Sequence, residues 1–185
     1  QLRDRLRRPA RLVGDRQEVL HRLDAGLDGL ADTARLLDRE DAGPSELLAG
    51  DHEYNATLNA LRAAAARDGA TVVIVRVPFP LTDPGQVVDS YLAAVTPRTR
   101  LALISHVTST TALVLPIATL VRELQARGVD ALVDGAHAPG MVQVDLGSLG
   151  AAYWTASGHK WLCGPKGSGV LVVAPSVSLT IESAL

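Results

Sequence analysis

Cysteine, excess charge and long apolar runs are what this sequence lacks. A single cysteine among 185 residues cannot form an internal disulfide, which excludes a disulfide-stapled fold and fits a reducing compartment such as the cytoplasm. No apolar run reaches the roughly 18 residues of a membrane span, and the N-terminal stretch QLRDRLRRPARLVGDR lacks the apolar core of a signal peptide. We therefore expect a cytoplasmic protein that does not span a membrane.

The balance of charge excludes a further class of function. The 18 basic and 20 acidic side chains leave a net charge of −2, so the chain as a whole is not drawn to nucleic acid or to an anionic membrane. Its 47% of hydrophobic and 21% of charged residues are ordinary for a globular protein, and its length suffices for one domain or part of a larger one. We expect neither nucleic acid nor a membrane as a partner.

The residue pattern divides the chain into three parts. Arg16–Glu40 carries apolar residues at steps of three and four with charges between them, which predicts an amphipathic helix. Asp41–Gly50, DAGPSELLAG, is interpreted as a linker or short turn. We assign residues 1–50 to an N-terminal arm and helix, residues 51–175 to a main domain, and residues 176–185 to the start of a C-terminal segment.

Helical and strand patterns alternate in the main domain. The continuous β-branched run of Thr71–Val77 is typical of a strand that is buried on both faces. Strands that alternate with helices predict an α/β fold, with a mainly parallel sheet covered by helices on both faces. The predicted helices are Asn55–Arg67, Gln86–Val95 and Pro116–Arg127, and the predicted strands are Thr71–Val77, Arg100–Val107, Asp130–Asp134, Ala151–Ser157 and Gly167–Val173.

Polar side chains collect after three of these strands. Parallel α/β sheets bind ligands at the carboxyl ends of their strands. The residues in that position are His106–Thr111, Asp134–His137 and Ser157–Lys160. These three segments are therefore the candidates for a functional site.

The stretch SGHKWLCGPKGSG, Ser157–Gly169, is open to several interpretations. A nucleotide-binding P-loop is excluded, because five residues separate Gly158 from Gly164 and Pro165 precedes the next lysine. A metal site is also disfavoured. His159 and Cys163 are four residues apart, but no second close pair of ligands accompanies them and a lysine lies between them. We expect no metal.

Covalent catalysis by Lys160 is the third interpretation. A lysine amine can form a Schiff base with a carbonyl or with pyridoxal 5'-phosphate (PLP). PLP needs a carboxylate at its pyridine nitrogen and polar groups at its phosphate. Asp134 at the end of a strand could supply the first, and Ser157 and His159 could supply the second. The residues alone leave open whether Lys160 is instead a surface lysine in a glycine turn.

Four ordered motifs carry a family resemblance. DHEYNATLNAL (Asp51–Leu61), SHVTSTTALVLPI (Ser105–Ile117), DGAHAPG (Asp134–Gly140) and SGHKWLCGPKGSG together resemble the class V aminotransferase family of fold-type I PLP-dependent enzymes. The combination of HKWLC with DHEYNA is most similar to the isopenicillin N epimerase-like and cysteine desulfurase-like branch. The resemblance covers roughly Asp51–Val173 and implies the PLP-binding large domain of that fold.

The resemblance implies roles for four residues near the ring of the cofactor. Lys160 matches the lysine that forms the Schiff base and moves protons at the substrate carbon. Asp134 matches the carboxylate that pairs with the pyridine nitrogen. His137 takes the place of a residue that contacts the ring hydroxyl, and His52 matches a histidine that stacks on the ring and assists proton transfer.

Further residues receive weaker or purely structural expectations. By the same resemblance, Ser157 and His159 match phosphate-binding residues, and Ser109 stands where relatives carry an asparagine near the ring hydroxyl. His106 is expected to be structural because it lies among apolar strand residues, and Cys163 is expected to be a small packing residue.

The reaction implied by the resemblance begins at the α-carbon of an amino acid or an amino-acid-derived substrate. Epimerisation, transamination and C–S or β-elimination share the removal of the α-proton, so the branch stays open. The resemblance also implies a homodimer. The alternative function is a non-catalytic, truncated PLP-fold protein that serves as a binding or scaffold module.

Two features depart from the family pattern. Relatives carry a phosphate-binding turn with a helix and a strand before DHEY, but we expect neither a strand nor such a turn within Asp41–Gly50. Relatives also continue into a small domain, which we expect to be absent or incomplete here. Either stretches are missing near residues 40–51 and after Ser176, or the protein is trimmed.

Overall fold

A computed structural model describes residues 43–176, so the predicted helix Arg16–Glu40 and nearly all of the predicted C-terminal segment lie outside the described residues. The described part contains six strands and four helices. The strands are β1 (Glu46–Gly50), β2 (Thr71–Val75), β3 (Thr99–Ser105), β4 (Asp130–Asp134), β5 (Tyr153–Ser157) and β6 (Gly169–Val173). The helices are α1 (Asn55–Arg67), α2 (Gly85–Ala94), α3 (Ile117–Gln125) and α4 (Leu146–Leu149).

The six strands form one sheet in the order β2-β1-β3-β4-β5-β6. All neighbours are parallel except β5 and β6, which are antiparallel. The predicted α/β fold with a mainly parallel sheet is therefore confirmed. The exception has a simple cause, because the loop between β5 and β6 holds no crossover helix, and a short connection returns the chain antiparallel.

The core is split between the two faces of the sheet. In β1, Leu47 and Ala49 pack on the face covered by Leu61 of α1, whereas Leu48 packs on the opposite face with Val87 of α2 and Leu120 of α3. This alternation follows from the two-residue period of a strand. Helices cover both faces, as predicted.

Strand β1 corrects the interpretation of Asp41–Gly50 as a linker. Its residues Glu46–Gly50 are all buried, and the strand pairs with both β2 and β3. The expectation that no strand fits before DHEY was therefore wrong. Five residues with an apolar centre are enough to form a strand when hydrogen-bonded strands flank them on both sides. Residues 46–50 share the sheet with the main domain, and the rest of the proposed domain division stays a prediction.

Strand β2 corrects the expectation of burial on both faces. It lies at an edge of the sheet and pairs only with β1 among the described strands. Thr71 and Ile74 are exposed and only Val75 is fully buried. A β-branched run fits any pleated strand, so it does not reveal whether that strand is central or at an edge. No helix within residues 43–176 has the length and apolar character to cross a membrane.

Candidate active site

The carboxyl ends of β1, β3, β4 and β5 lie at one edge of the sheet because these strands are parallel. Register brings the ends of two of them side by side, since Ser105 pairs with Asp134 and Asp134 pairs with Thr155. The predicted segments after β3, β4 and β5 therefore share this edge. The loop after β1, which carries His52, joins them.

Asp134 is the last residue of β4 and presents a fixed carboxylate at this edge. The residue is buried. Its Oδ2 atom accepts a hydrogen bond of 3.2 Å from Thr57 Oγ1, and its Oδ1 atom accepts one of 2.9 Å from the backbone N–H of Ala136. Thr57 is itself buried in the first turn of α1. Donors on two different elements thus orient both oxygens.

Lys160 lies in the loop after β5, and its amine points to the turn after β4. Its Nζ atom is 3.1 Å from His137 Nε2, and Trp161 Nε1 donates a hydrogen bond of 3.1 Å to the other ring nitrogen of His137. Partial burial lowers the pKa of His137, and the neighbouring Lys160 lowers it further. His137 and Lys160 therefore place a neutral imidazole beside a primary amine at the carboxyl edge of the sheet.

His52 follows β1 and is tied to the loop after β3. Its Nδ1 atom is 2.9 Å from Thr111 Oγ1, which in turn is 2.8 Å from Thr108 Oγ1. The imidazole ring is tilted against Phe79, with 5.8 Å between the ring centroids. The position of His52 is thus set by contacts on both sides of its ring.

Glu53, next to His52, is a buried acid. Its Oε1 atom accepts a 2.9 Å hydrogen bond from the backbone N–H of Ser105, and its Oε2 atom accepts one of 2.5 Å from the hydroxyl of Ser105. Burial raises the pKa of Glu53 to about 7, and the negative charge of Asp134 adds to the rise. The side chain fastens the loop that carries His52 to the end of β3.

Two glycines allow the turn after β4 to pack closely on its neighbours. A Cβ atom at Gly135 would lie 2.4 Å from the ring of Trp154. Gly140 has a φ of +85°, and a Cβ atom there would lie 2.9 Å from the backbone oxygen of Trp161. Only glycine fits such positions without displacement. The glycines of the motif DGAHAPG therefore allow the turn that carries His137 to pack closely on the loop that carries Lys160.

The family model described as Aminotransferase class-V matches residues 34–184. The chain belongs to this family. Its motifs lie at the carboxyl edge of a mainly parallel sheet, where the alternation of strands and helices predicted a ligand site. Among residues 43–176, no three His, Cys, Asp or Glu side chains are grouped so that they could hold a metal ion.

Individual relatives within the class V aminotransferases show which proteins the chain is similar to. Isopenicillin N epimerase of Streptomyces clavuligerus is 39% identical over 169 residues, which is 90% of this chain and 41% of the epimerase. A solved structure of a C-DES mutant with glycine covalently linked to its PLP cofactor superimposes with a TM-score of 0.73 and 28% identity, over 84% of this chain and 40% of that one.

A second structure, the cystine C-S lyase C-DES in complex with its reaction product cysteine persulfide, gives a TM-score of 0.72 and 30% identity, over 80% of this chain and 39% of that one. The chain thus spans about two fifths of the length of the relatives it matches.

The predicted site residues of this class V aminotransferase chain fall into two groups. Asp134, His137, Lys160 and His52 lie at the carboxyl edge of the sheet, where a hydrogen bond joins His137 to Lys160, Thr57 holds Asp134 and Thr111 holds His52. The other predicted residues lie nearby without such anchoring. Ser157 ends β5 and is half-buried, whereas His159 and Ser109 are exposed in their loops. Their roles stay predictions.

The predictions for His106 and Cys163 have different outcomes. His106 is half-buried directly after β3, its backbone N–H donates a 2.8 Å hydrogen bond to the backbone oxygen of Asp134, and burial lowers its pKa. This placement agrees with a structural role. The expectation that Cys163 is a packing residue was wrong. Cys163 is exposed in the loop after β5, where its backbone has a φ of 53°.

Sequence reasoning missed Thr57 and Trp161, which contact Asp134 and His137, and Glu53, which accepts hydrogen bonds from Ser105 beside the site. No spacing rule links Thr57 to Asp134 across 77 positions, or Glu53 to Ser105 across 52. No local pattern marks Glu53 as buried, since Asp51 and Tyr54 on either side of it are exposed. Trp161 adjoins Lys160 in sequence, but its contact with His137 depends on the turn after β4.

Proposed function

We propose that this chain holds PLP through Lys160 and acts at the α-carbon of an amino acid or an amino-acid-derived substrate. The observation that carries the proposal is the placement of the Lys160 amine 3.1 Å from His137 Nε2, at the edge where the Asp134 carboxylate is fixed. The relatives that bind PLP or are named as epimerases add support.

The chemistry of the residues present fits the cofactor. PLP has three groups that need partners in a protein. Its aldehyde reacts with an amine, its pyridine nitrogen pairs with a carboxylate, and its phosphate accepts hydrogen bonds from donors. Lys160 supplies the amine and Asp134 supplies a buried carboxylate whose orientation is set by Thr57. Ser157 and His159 supply polar groups beside the lysine, and these are the residues that would hold the phosphate.

The chain's own residues would then divide the work. When bound, PLP takes up the electron pair that is released at the α-carbon. Lys160 Nζ, set free once the amine of the substrate has replaced it, would remove the α-proton, and His137 would hold that amine in place. The carboxylate of Asp134 would favour a protonated pyridine nitrogen, because an opposite charge stabilises a neighbouring cation. His52, anchored by Thr111, would lie over the ring.

The branch of the reaction and the assembly belong to the same proposal. Epimerisation, transamination and C–S or β-elimination all begin with the step assigned to Lys160. We also propose a homodimer, because the exposed rings of Tyr54, Phe79 and Trp161 lie against site residues, where a partner would cover them.

The first test is the binding of PLP by the purified protein. We expect an absorbance band of bound PLP that Lys160→Ala loses, and borohydride reduction should attach the cofactor to Lys160 in peptide mass mapping. Lys166→Ala is the matched control, because Lys166 is an exposed lysine of the same loop, and it should keep the band. An unchanged band in Lys160→Ala contradicts the proposal, and no band in the wild type favours the non-catalytic module.

A further inference from the structure

Trp161, His137 and Lys160 form a chain of two hydrogen bonds. Trp161 Nε1 lies 3.1 Å from His137 Nδ1, and His137 Nε2 lies 3.1 Å from Lys160 Nζ. An indole N–H can only donate a hydrogen bond. His137 Nδ1 must therefore be the acceptor and carry no proton.

The second contact then has one consistent direction. A neutral imidazole has a single N–H group, so its proton lies on Nε2 when Nδ1 accepts. Nε2 faces Lys160 Nζ. An ammonium has three donors and no acceptor, so this contact is a hydrogen bond only when Lys160 is a neutral amine that accepts from Nε2–H.

The opposite direction conflicts with Trp161. An ammonium on Lys160 would donate to Nε2 and would force the imidazole proton onto Nδ1. Two N–H groups would then face each other between His137 and Trp161. A protonated imidazole meets the same conflict, since both of its nitrogens are donors.

We propose that Trp161 is a positioning residue that holds His137 in the tautomer with its proton on Nε2, so that His137 presents a donor to the Lys160 amine. The tautomer inference stands on the three side chains alone. Its consequence for the capture of a cofactor rests on the function proposed above.

The surroundings of the three residues favour this arrangement. The backbone of Trp161 packs on Gly140, in the turn that carries His137, so the loop that carries Trp161 and that turn lie in direct contact. The lowered pKa of His137 keeps the imidazole neutral, although the charge of Asp134 acts in the opposite direction. The ring of Tyr54 lies 5.8 Å from Lys160 Nζ, near the outer limit of a cation–π contact, and attracts the ammonium form only weakly.

The deciding experiment measures the tautomer of His137 directly. In the cofactor-free full chain with ¹⁵N-labelled histidine, protonated and unprotonated ring nitrogens give separate signals, and those of His137 are assigned by their loss in His137→Gln. Trp161→Phe keeps an aromatic ring and removes the N–H donor, together with part of the indole. We expect the share of the Nδ1–H tautomer to rise about 2- to 12-fold in this variant, the bias given by one hydrogen bond of ordinary net strength.

The rate of PLP capture tests whether the tautomer of His137 affects the reactivity of Lys160. The rate at which the full chain captures added PLP should fall about 2- to 12-fold in Trp161→Phe, by the same bias. His137→Gln should keep more of the rate than His137→Leu, because a glutamine amide can accept from Trp161 and donate to Lys160 at once. His137→Leu can do neither and should lose it.

The possible results separate the two proposals. An unchanged tautomer ratio in Trp161→Phe overturns the inference. A changed ratio together with failure of the wild type to capture PLP supports the inference on Trp161 and overturns the proposed function instead. A changed ratio with an unchanged capture rate overturns the consequence drawn for the Lys160 amine.

Discussion

Asp134 and Thr57 illustrate how single residues prepare the site. A carboxylate that must face a ligand needs a fixed orientation, and a hydroxyl from the first turn of α1 provides it over 3.2 Å. Both residues are buried, so water does not replace the contact when it is lost. The cost of losing it should therefore appear in ligand binding.

The first prediction concerns Thr57→Val. Valine has nearly the same shape but no hydroxyl, so Asp134 Oδ2 loses its side-chain donor. We expect the affinity for PLP to fall about 10- to 100-fold, the range for a hydrogen bond to a charged group. Absorbance titration with PLP measures the change. Thr57→Ser keeps the hydroxyl and should bind nearly as the wild type does, and equal affinities of the two variants would refute the role given to Thr57.

At the scale of elements, Glu53 joins the loop between β1 and α1 to the end of β3. It accepts two hydrogen bonds from Ser105, one from the backbone and one from the hydroxyl. Tyr91 of α2 and Asp134 of β4 also face it, and burial raises the pKa of Tyr91 as well. Because these ionisable groups are buried together, we expect the stability of the contact between this loop and β3 to depend on pH.

The second prediction concerns this sensitivity. Burial raises the pKa of Glu53 from an ordinary 4.5 to about 7. The folded chain therefore keeps a proton that the unfolded chain has released, and the free energy of unfolding decreases as the pH rises from about 4.5 to about 7. The decrease attributable to this group is about 3 kcal/mol.

Glu53→Gln removes the ionisation and keeps groups that can pair with Ser105. We expect its unfolding free energy, relative to that of the wild type, to rise between pH 5 and pH 7.5 in urea titrations. Glu123→Gln is the control. Hydrogen bonds from Arg127 and Arg122 lower the pKa of this surface carboxylate, so no difference should develop in the same window. A gap between Glu53→Gln and the wild type that stays constant with pH would disprove the account.

At the scale of the whole molecule, large apolar side chains are exposed beside the site. Phe79 is 61% exposed although its ring contacts His52, and Trp161 is 53% exposed although it contacts His137. Tyr54 and Leu162 are similarly exposed. Apolar surface gathered around a functional site marks an interaction surface.

The third prediction tests this surface. If two copies cover it, Phe79→Ser should weaken self-association about tenfold or more, because truncated aromatic anchors dominate interface energies. Sedimentation equilibrium measures the change. Ile74→Ser removes exposed apolar surface from β2 instead and should leave association nearly unchanged. A monomeric wild type, or equal effects of both variants, would contradict the homodimer.

The elements that repeat a strong pattern were predictable. Helix α1 was predicted over its observed bounds, Asn55–Arg67, and β4 over Asp130–Asp134. The ends of the other predicted elements shift by one or two residues, because helix and strand ends depend on local turns. Strand β1 was missed, since five residues after a Gly-Pro pair carry too short a pattern, and only pairing on both sides makes them a strand.

The sequence by itself determined the alternation of strands and helices and the order of the four motifs, because periodicity and motif chemistry are local properties. It also pointed to Lys160, Asp134, His137 and His52. Only the tertiary structure decided that β2 is an edge strand, that Thr57 and Glu53 support the site, and that Trp161 donates to His137. Each of these depends on which strands pair and on where loops from separate elements meet, and no local pattern encodes that.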